Sequence, residues 1–166
     1  ALIGRARNRG VRTVLNVAPA AAIPAAILEQ VDVLVVNQHE AEAVASQVGT
    51  DAGGSPEKLA RKLAGRGDLV CVVTLGGDGA LAVEGTSLWR VAAMPARVVD
   101  TTGAGDTFTG VLAAGLDAGL GLAESLRRAS VGAALACGGQ GAQAAMPRLA
   151  DIEAAIDGVP LPAPIR

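Results

Sequence analysis

The sequence predicts an α/β protein in which helices cover a mostly parallel sheet. Two continuous apolar runs, DVLVVN (32–37) and LVCVVTL (69–75), have the composition of strands that are buried on both faces. Segments with helical periodicity or helix caps separate and follow these runs, an alternation typical of parallel α/β folds. Because the chain has 166 residues and 51% of them are apolar, we expect one domain over residues 1–166 with a sizeable core.

Six segments are predicted as strands because they are rich in β-branched and apolar residues and are bounded by turn-forming residues. In chain order they are VRTVLNV (11–17), DVLVVN (32–37), LVCVVTL (69–75), GALAVEG (79–85), SLWRV (87–91) and ARVVD (96–100). The fourth and fifth segments meet at Gly85-Thr86, so they are expected to form a hairpin.

Helices are predicted between and after these strands. They cover residues 23–31, 40–48, 55–67, 105–119, 122–137 and 149–157. The third of them begins with Ser55 as N-cap and Pro56 in the first helical position, a common helix start. The first ten residues resemble the end of a further helix that Gly10 caps, so an upstream portion of the chain is expected.

Charge, aromatic content and hydropathy argue against two classes of partner. The net charge is −2, the basic residues are scattered, and Trp89 and Phe108 are accompanied by no tyrosine, so no nucleic-acid surface is expected. Residues 129–147 carry no charge, but their glycines and glutamines argue against a membrane span. Cys71 and Cys137 lack CxxC spacing and are expected to be reduced thiols of a cytoplasmic protein.

Three polar clusters follow predicted strands at their carboxyl ends. They are Asn37-Gln38-His39-Glu40, Thr74 to Gly79, and Asp100 to Asp106. Ligands of open α/β sheets bind beyond the carboxyl ends of the strands, so the placement of the clusters indicates a ligand site. His39 is the only histidine, and without a second histidine or a cysteine partner it is expected to be a solvated residue at a helix start.

The stretch VVDTTGAGDTFTG (98–110) carries the most specific chemistry. Its glycines at 103 and 105 allow successive backbone N–H groups to face one point, and a helix that starts there adds the positive end of its dipole. Such a turn is an anion hole, and Asp106 beside it could accept a proton from a hydroxyl that attacks a phosphoryl group. The alternative is that Asp106 only caps the helix. No lysine follows any of the glycine runs, so none of them is a P-loop.

Asn37 and Glu40 lie three residues apart at a strand-to-helix junction. Their side-chain oxygens could both face one hydrated Mg²⁺. The same two residue types are also typical caps of a helix start, so the sequence leaves both roles open.

These stretches resemble the PfkB-type carbohydrate kinase family. DTTGAGDTFTG resembles the family's C-terminal signature over its whole length, VVNQHEAEAV its N-x-x-E segment, and VVTLGGDGAL its nucleotide-side strand and turn. Within the family, LNVAPA (15–20) and GAQAAMP (141–147) are most similar to ribokinase. The resemblance runs from about Val11 to Asp157. It implies a ribokinase-like layered α/β/α fold, of which this chain would be the C-terminal, ATP-binding part, with the N-terminal half and the lid missing.

The resemblance also implies roles for individual residues. Asp106 would be the base that deprotonates the sugar hydroxyl, beside an anion hole formed by Gly103, Ala104 and Gly105. Asn37 and Glu40 would organise Mg²⁺ and the ATP phosphates. Further nucleotide contacts are implied at Thr74, Gly76, Gly79 and, beside the adenine, Ser130. The monovalent cation, K⁺, that ribokinases use would bind near Asp100, Thr102, Ala136, Gly139 and Gly141.

The implied reaction is transfer of the ATP γ-phosphate to a sugar hydroxyl, with D-ribose as the leading acceptor. Fructose, 2-keto-3-deoxygluconate or a nucleoside are alternatives within the family, and a non-catalytic nucleotide-binding fragment is an alternative outside it. The chain has Ala144-Ala145 where ribokinases usually have Pro-Ser, which removes one hydroxyl ligand of the cation. The missing half would carry most sugar-binding residues and the lid through which a homodimer forms, so the fragment alone is expected to be inactive.

Overall fold

The computed structural model describes residues 2–20 and 22–165. The helices are α1 (Leu2–Arg7), α2 (Ala25–Leu28), α3 (Gln38–Gln47), α4 (Pro56–Ala64), α5 (Ala104–Asp117), α6 (Leu122–Ala136) and α7 (Leu149–Ala155). The strands are β1 (Val14–Asn16), β2 (Val33–Asn37), β3 (Val70–Thr74), β4 (Ala80–Glu84), β5 (Ser87–Val91) and β6 (Pro164–Ile165). Short 3₁₀ turns lie at Gly76–Asp78 and Ile156–Gly158.

The strands form one six-stranded sheet in the order β1-β2-β3-β4-β5-β6. The first three strands are parallel, with Val14 opposite Val33 and Val33 opposite Val70. All four residues from Val33 to Val36 are buried, although successive side chains of a strand point to opposite faces. This burial explains why the sequence of β2 is a continuous apolar run rather than an alternating one, and it confirms the predicted α/β class with a mostly parallel sheet.

The described residues divide into two compact units. The first comprises residues 2–20, 22–75, 81–88 and 164–165, and the second comprises Gly76–Ala80 and Trp89–Ala163. Strand β5 therefore begins in the first unit and ends in the second.

The core of the first unit lies where α3 and α4 pack on β2 and β3. Helix α4 buries Leu59 and Leu63, which lie four residues apart and thus on one face of the helix. Burial of a leucine side chain contributes roughly 1.5–3 kcal/mol, so this stripe holds the helix in place. Ser55 accepts a hydrogen bond from the Lys58 N–H at 3.3 Å, and Pro56 opens the helix, as the sequence predicts.

The second unit is centred on the pair of helices α5 and α6. Small residues bring the two helices close together, since a Cβ added to Gly115 would lie 2.8 Å from Ser125 Oγ. Leu112 and Leu126 are fully buried in this unit.

Most predicted elements are present with shorter bounds. The hairpin is confirmed, because β4 and β5 are neighbours joined by two residues, and Gly85 has the positive φ (+55°) that such a turn favours. Gly10 ends the first helix as predicted: its N–H donates to the Arg7 carbonyl and the Val11 N–H donates to the Ala6 carbonyl. Strand β6 is an element that the sequence did not indicate.

The strand predicted at ARVVD (96–100) is wrong. These residues adopt no regular structure, and Val98 and Val99 are 63% and 57% exposed. The Val99 N–H donates to the Cys137 carbonyl beyond the end of α6, so this segment bonds to a helix end rather than to a strand. Among the described helices, none combines the length and the apolar character that crossing a bilayer requires.

Candidate active site

The predicted site residues are divided between the two units. Asn37, Glu40 and Thr74 belong to the first unit. The glycine turn after β3, the start of α5 and the loop after α6 belong to the second.

In the first unit, polar residues meet at the carboxyl ends of β2 and β3. Asn37 and Thr74 are direct partners in the parallel register and are the last residues of their strands. The Thr74 hydroxyl donates to the Val36 carbonyl at 3.4 Å, which holds its side chain against β2. Two of the three polar clusters thus begin at the end of a strand, whereas the third, Asp100 to Asp106, does not, because residues 96–100 form no strand.

Asn37 and Glu40 form a capping box at the start of α3. Asn37 Oδ1 accepts from the Glu40 N–H at 2.9 Å, and Glu40 Oε2 accepts from the Asn37 N–H at 2.7 Å. The capping role that the sequence left open is thus present, and the box uses one oxygen of each side chain. His39 is exposed on the first turn of α3, as expected.

Two of the three glycines in the turn after β3 have different surroundings. Gly79 is buried with φ +87°, and a Cβ there would lie 2.0 Å from the Val91 carbonyl oxygen, so only glycine fits. Gly76 has φ +59°, is exposed, and has no atom within 4 Å of the position a Cβ would take. Gly76 therefore has the open backbone that approach of a phosphate or ribose requires, whereas Gly79 has a structural reason to be glycine.

The start of α5, where the anion hole is predicted, is a tight glycine turn. Gly103 is the N-cap with φ +79°, and it offers no side chain to the first N–H groups of the helix. A Cβ on Gly103 would lie 2.8 Å from Ala142 Cβ, so contact as well as conformation requires glycine. Gly105 is exposed, and a Cβ added there would meet no atom within 4 Å. The Ala104 N–H donates to the Thr101 carbonyl at 3.2 Å. The positive end of this 14-residue helix favours an anion.

Asp106 lies in the first turn of α5 and is exposed to solvent. The residues after it, Thr107 and Phe108, are buried and anchor the turn in the second unit. The Thr107 N–H donates to the Gly103 carbonyl at 2.8 Å, so the helix begins in regular geometry immediately after the glycine turn. A solvent-accessible carboxylate can accept a proton in phosphoryl transfer, and this role of Asp106 stays a prediction.

Asp100 is hydrogen-bonded to two other residues of the predicted cation group, Thr102 and Gly141. Its Oδ1 accepts from the Thr102 N–H at 2.9 Å, and its Oδ2 accepts from the Gly141 N–H at 3.0 Å. Hydrogen bonds from the Thr102 side chain, from the Thr102 N–H and from the Gly141 N–H lower the pKa of Asp100 to about 2. Asp100 is therefore a carboxylate at neutral pH.

Ala136 and Gly139 belong to the same part of the second unit. The Gly139 N–H donates to the Ala136 carbonyl at 3.3 Å, and a Cβ on Gly139 would lie 2.9 Å from Ala145 Cβ. Within residues 2–20 and 22–165 there is no group of three or more His, Cys, Asp or Glu residues suited to a metal ion. The predicted cation site near Asp100 would be of another kind, because its ligands would be backbone carbonyl oxygens around a single carboxylate.

Ser130 is buried in α6, and its hydroxyl donates to the Ala92 carbonyl at 2.7 Å. This bond ties the segment after β5 to α6, so the side chain has a structural role of its own. A role beside adenine stays a prediction.

Sequence reasoning missed Ala142, whose side chain contacts the N-cap glycine of α5. The available signals were the run GGQGAQ (138–143), whose small residues permit close backbone contact, and the stretch GAQAAMP (141–147), which is similar to ribokinase and contains Ala142. No local pattern identifies the partner of such a contact, because the two residues are far apart in the chain.

Comparison with known proteins identifies the class. Residues 1–149 match the pfkB family of carbohydrate kinases. The chain is 33% identical over 148 residues to a ribokinase of Lactococcus lactis, covering 89% of this chain and 46% of that protein. The chain therefore belongs to the pfkB family of carbohydrate kinases.

Solved structures give the same fold. Ribokinase from Thermotoga maritima superimposes with a TM-score of 0.85 at 28% identity, covering 92% of this chain and 52% of that one. Arabidopsis thaliana ribokinase, solved with ribose and ATP, gives 0.84 at 28% identity, covering 93% and 50%. A Burkholderia thailandensis nucleoside kinase in complex with inosine gives 0.79 at 27% identity, covering 93% and 50%. The fold is ribokinase-like, and the chain spans about half the length of these relatives.

Proposed function

We propose that this chain is the ATP-binding part of a ribokinase, which transfers the γ-phosphate of ATP to a hydroxyl of D-ribose and forms D-ribose 5-phosphate. The observation that carries the proposal is the start of α5, where an N-cap glycine leaves the first turn uncapped and Asp106 lies beside it. The identity to ribokinases supports ribose as the acceptor.

In the proposed reaction Asp106 acts as the general base. The sugar hydroxyl oxygen attacks the γ-phosphorus and forms the new O–P bond, while the bond between the γ-phosphorus and the bridging oxygen of ADP breaks. The hydroxyl proton passes to the Asp106 carboxylate. The N–H groups at Gly103, Ala104 and Gly105 would stabilise the charge that spreads over the transferring phosphoryl oxygens. For this the Ala104 N–H has to leave the Thr101 carbonyl, to which it donates at 3.2 Å.

Mg²⁺ would be held near Asn37 and Glu40, whose amide and carboxylate oxygens are ligands that this ion prefers. Because the capping box engages one oxygen of each side chain, the ion would bind through water or through the remaining carboxylate oxygen. When bound with ATP, Mg²⁺ neutralises phosphate charge. Thr74 and Gly76 would contact the nucleotide.

A monovalent cation would fit beside Asp100, which is ionised and lies next to the carbonyls of the loop after α6. Ala145 offers no hydroxyl to such an ion. We therefore expect K⁺ to activate the complete enzyme weakly, and Ala145→Ser to steepen the dependence of kcat on K⁺. An unchanged K⁺ response in the serine variant would contradict this assignment of the loop.

The proposal is tested with the polypeptide encoded by the whole reading frame that contains this sequence. Ribose, fructose, 2-keto-3-deoxygluconate and inosine are offered in turn with ATP, and the sugar phosphate and ADP are measured. We expect kcat/KM to be highest for ribose. A preference for inosine would favour a nucleoside kinase, in line with the similarity to the Burkholderia enzyme. ATP binding without any transfer would favour a non-catalytic nucleotide-binding protein.

A further inference from the structure

The loop after α6 lies against the start of α5 at Ala142. A Cβ built on Gly103 would lie 2.8 Å from Ala142 Cβ and 2.9 Å from Ala142 Cα. Gly103 is the N-cap of α5, and the peptide groups that follow it carry the first N–H groups of the helix. The location of the Ala142 methyl group therefore limits where those N–H groups can lie.

Asp100 holds this loop in place. Its carboxylate accepts the Thr102 N–H on one oxygen and the Gly141 N–H on the other, at 2.9 and 3.0 Å. Thr102 immediately precedes Gly103 and Gly141 immediately precedes Ala142. The Asp100 carboxylate thus holds both backbone segments, and the residues that follow its two partners, Gly103 and Ala142, lie against each other.

Backbone hydrogen bonds within the loop also restrain the position of Ala142. The Ala145 N–H donates to the Gly141 carbonyl at 3.2 Å, and the Met146 N–H donates to the Gln143 carbonyl at 3.3 Å. Gly139 adds a close contact, because a Cβ there would lie 2.9 Å from Ala145 Cβ.

We propose that Ala142 is a positioning residue for phosphoryl transfer: with Asp100 fixing its loop, its methyl group sets the position of Gly103 and so of the anion hole. The inference rests on the proposed function. Donors aimed at the transferring phosphoryl group act through accurate placement, and a displacement of about 1 Å can lower the rate roughly 10²-fold. Ala142 would therefore influence kcat without touching substrate.

The test compares Ala142→Val with Ala144→Val, which adds the same two methyl groups at an exposed position of the same loop. The ¹⁵N-labelled chain of residues 1–166 is titrated with Mg-ATP, and the amide signals of Gly76, Gly103 and Gly105 are followed. In Ala142→Val we expect the ATP-induced shifts of Gly103 and Gly105 to fall at least threefold while those of Gly76 persist. Ala144→Val should respond like wild type.

Ala142→Gly, which removes the methyl group without crowding, replaces the valine variant if that variant does not fold, with the same loss expected at Gly103 and Gly105. Ala142→Ser keeps the β-carbon, so its ATP-induced shifts at Gly103 and Gly105 should equal those of wild type. In the complete enzyme, Ala142→Val should lower kcat roughly tenfold or more and leave KM for ATP within about threefold.

The outcomes separate the two proposals. A wild-type chain whose glycine signals respond to ATP, together with unchanged shifts in Ala142→Val and Ala142→Gly, would overturn the positioning role alone. A wild-type chain with no response at Gly76, Gly103 or Gly105 would overturn the proposed function and the positioning role with it.

Discussion

At the scale of single residues, Asp106 has two possible roles that differ in their effect on turnover. Asp106→Asn keeps the size of the side chain and its ability to cap a helix, but an amide cannot accept the sugar proton. In the complete enzyme we expect kcat to fall by roughly 10²–10⁴, the range for loss of a general base, with ATP affinity nearly unchanged. The measurement is kcat at saturating ATP and ribose.

Asp117→Asn is the matched control, because Asp117 is an exposed aspartate at the opposite end of the same helix. Its turnover should equal that of wild type. If Asp106→Asn also stays within about threefold of wild type, the loss is too small for a missing base, and Asp106 is not the catalytic residue.

Replacing Gly103 or Gly105 in the α5 turn by alanine should have different effects on the free energy of unfolding. Gly103→Ala forces a side chain into a left-handed conformation and into contact with Ala142, so we expect it to lower the free energy of unfolding by more than about 2 kcal/mol. Gly105→Ala meets open space in a helix, so stability should stay constant or rise by up to about 1 kcal/mol. Urea denaturation of the two variants measures both effects.

The same Gly105→Ala variant tests the anion hole, since its methyl group narrows the approach to the backbone N–H groups. ATP binding should weaken although the fold is intact. A Gly105→Ala chain that binds ATP as well as wild type would place the phosphates elsewhere.

The role of a residue could be predicted from the sequence where neighbouring residues determine it, and not where it depends on a contact distant in the chain. The turn at 103–106 was identified from sequence because glycine is the residue that tolerates positive φ, and Gly103 has φ +79°. The capping box of Asn37 and Glu40 was one of two open alternatives, because the same oxygens suit a metal and a helix start. The contact of Ala142 with Gly103 was not predictable, because alanine carries no chemical signal and the partner is distant in sequence.

At the scale of elements, an ion pair between Lys62 and Asp51 connects α4 to the loop that precedes it. The Lys62 ammonium donates to Asp51 Oδ2 at 2.6 Å and to the carbonyls of Asp51 and Gly53 at 3.0 and 3.1 Å. The hydrogen bond from Lys62, together with the Gly53 N–H and the charge of Lys62, holds the pKa of Asp51 below its ordinary value of 3.8. A folded-state pKa below the unfolded one stabilises the fold above about pH 4 and loses that effect as the pH falls further.

Asp51→Asn should therefore lower the free energy of unfolding at pH 7 by a small amount, since the pair is exposed. The difference from wild type should shrink as the pH falls below about 4. Urea denaturation at several pH values measures it, with Asp68→Asn as an exposed control in the loop before β3. A difference that is the same at pH 7 and pH 3 would contradict the ionic origin.

Element prediction succeeded where burial and composition agree. Strands β2 and β3 are apolar because they are buried, and α4 carries both its caps and its apolar stripe in the sequence. ARVVD (96–100) has the composition of a strand but lies exposed, with a bond from Val99 to the end of α6. Composition shows that a segment is able to form a strand. Whether it does so depends on a pairing partner elsewhere in the chain.

At the scale of the whole molecule, the alternation of strands and helices was sufficient to predict the α/β class. The family signatures were sufficient to predict the family to which the chain belongs. The division into two compact units was not visible in the sequence, because it arises from long-range contacts that no local pattern reports.

The chain spans about half the length of its relatives, 46% of the Lactococcus lactis ribokinase and 52% of the Thermotoga maritima enzyme. We expect residues 1–166 alone to bind Mg-ATP but to form no measurable ribose 5-phosphate. Orienting the acceptor and excluding water account for a large part of phosphoryl-transfer catalysis, and residues outside this chain would supply both. The measurement is a coupled assay for ADP with and without ribose, with the complete enzyme as positive control. Ribose-dependent ADP release by residues 1–166 would show that this half holds the acceptor by itself, and the sugar site would then have to be sought among its own residues.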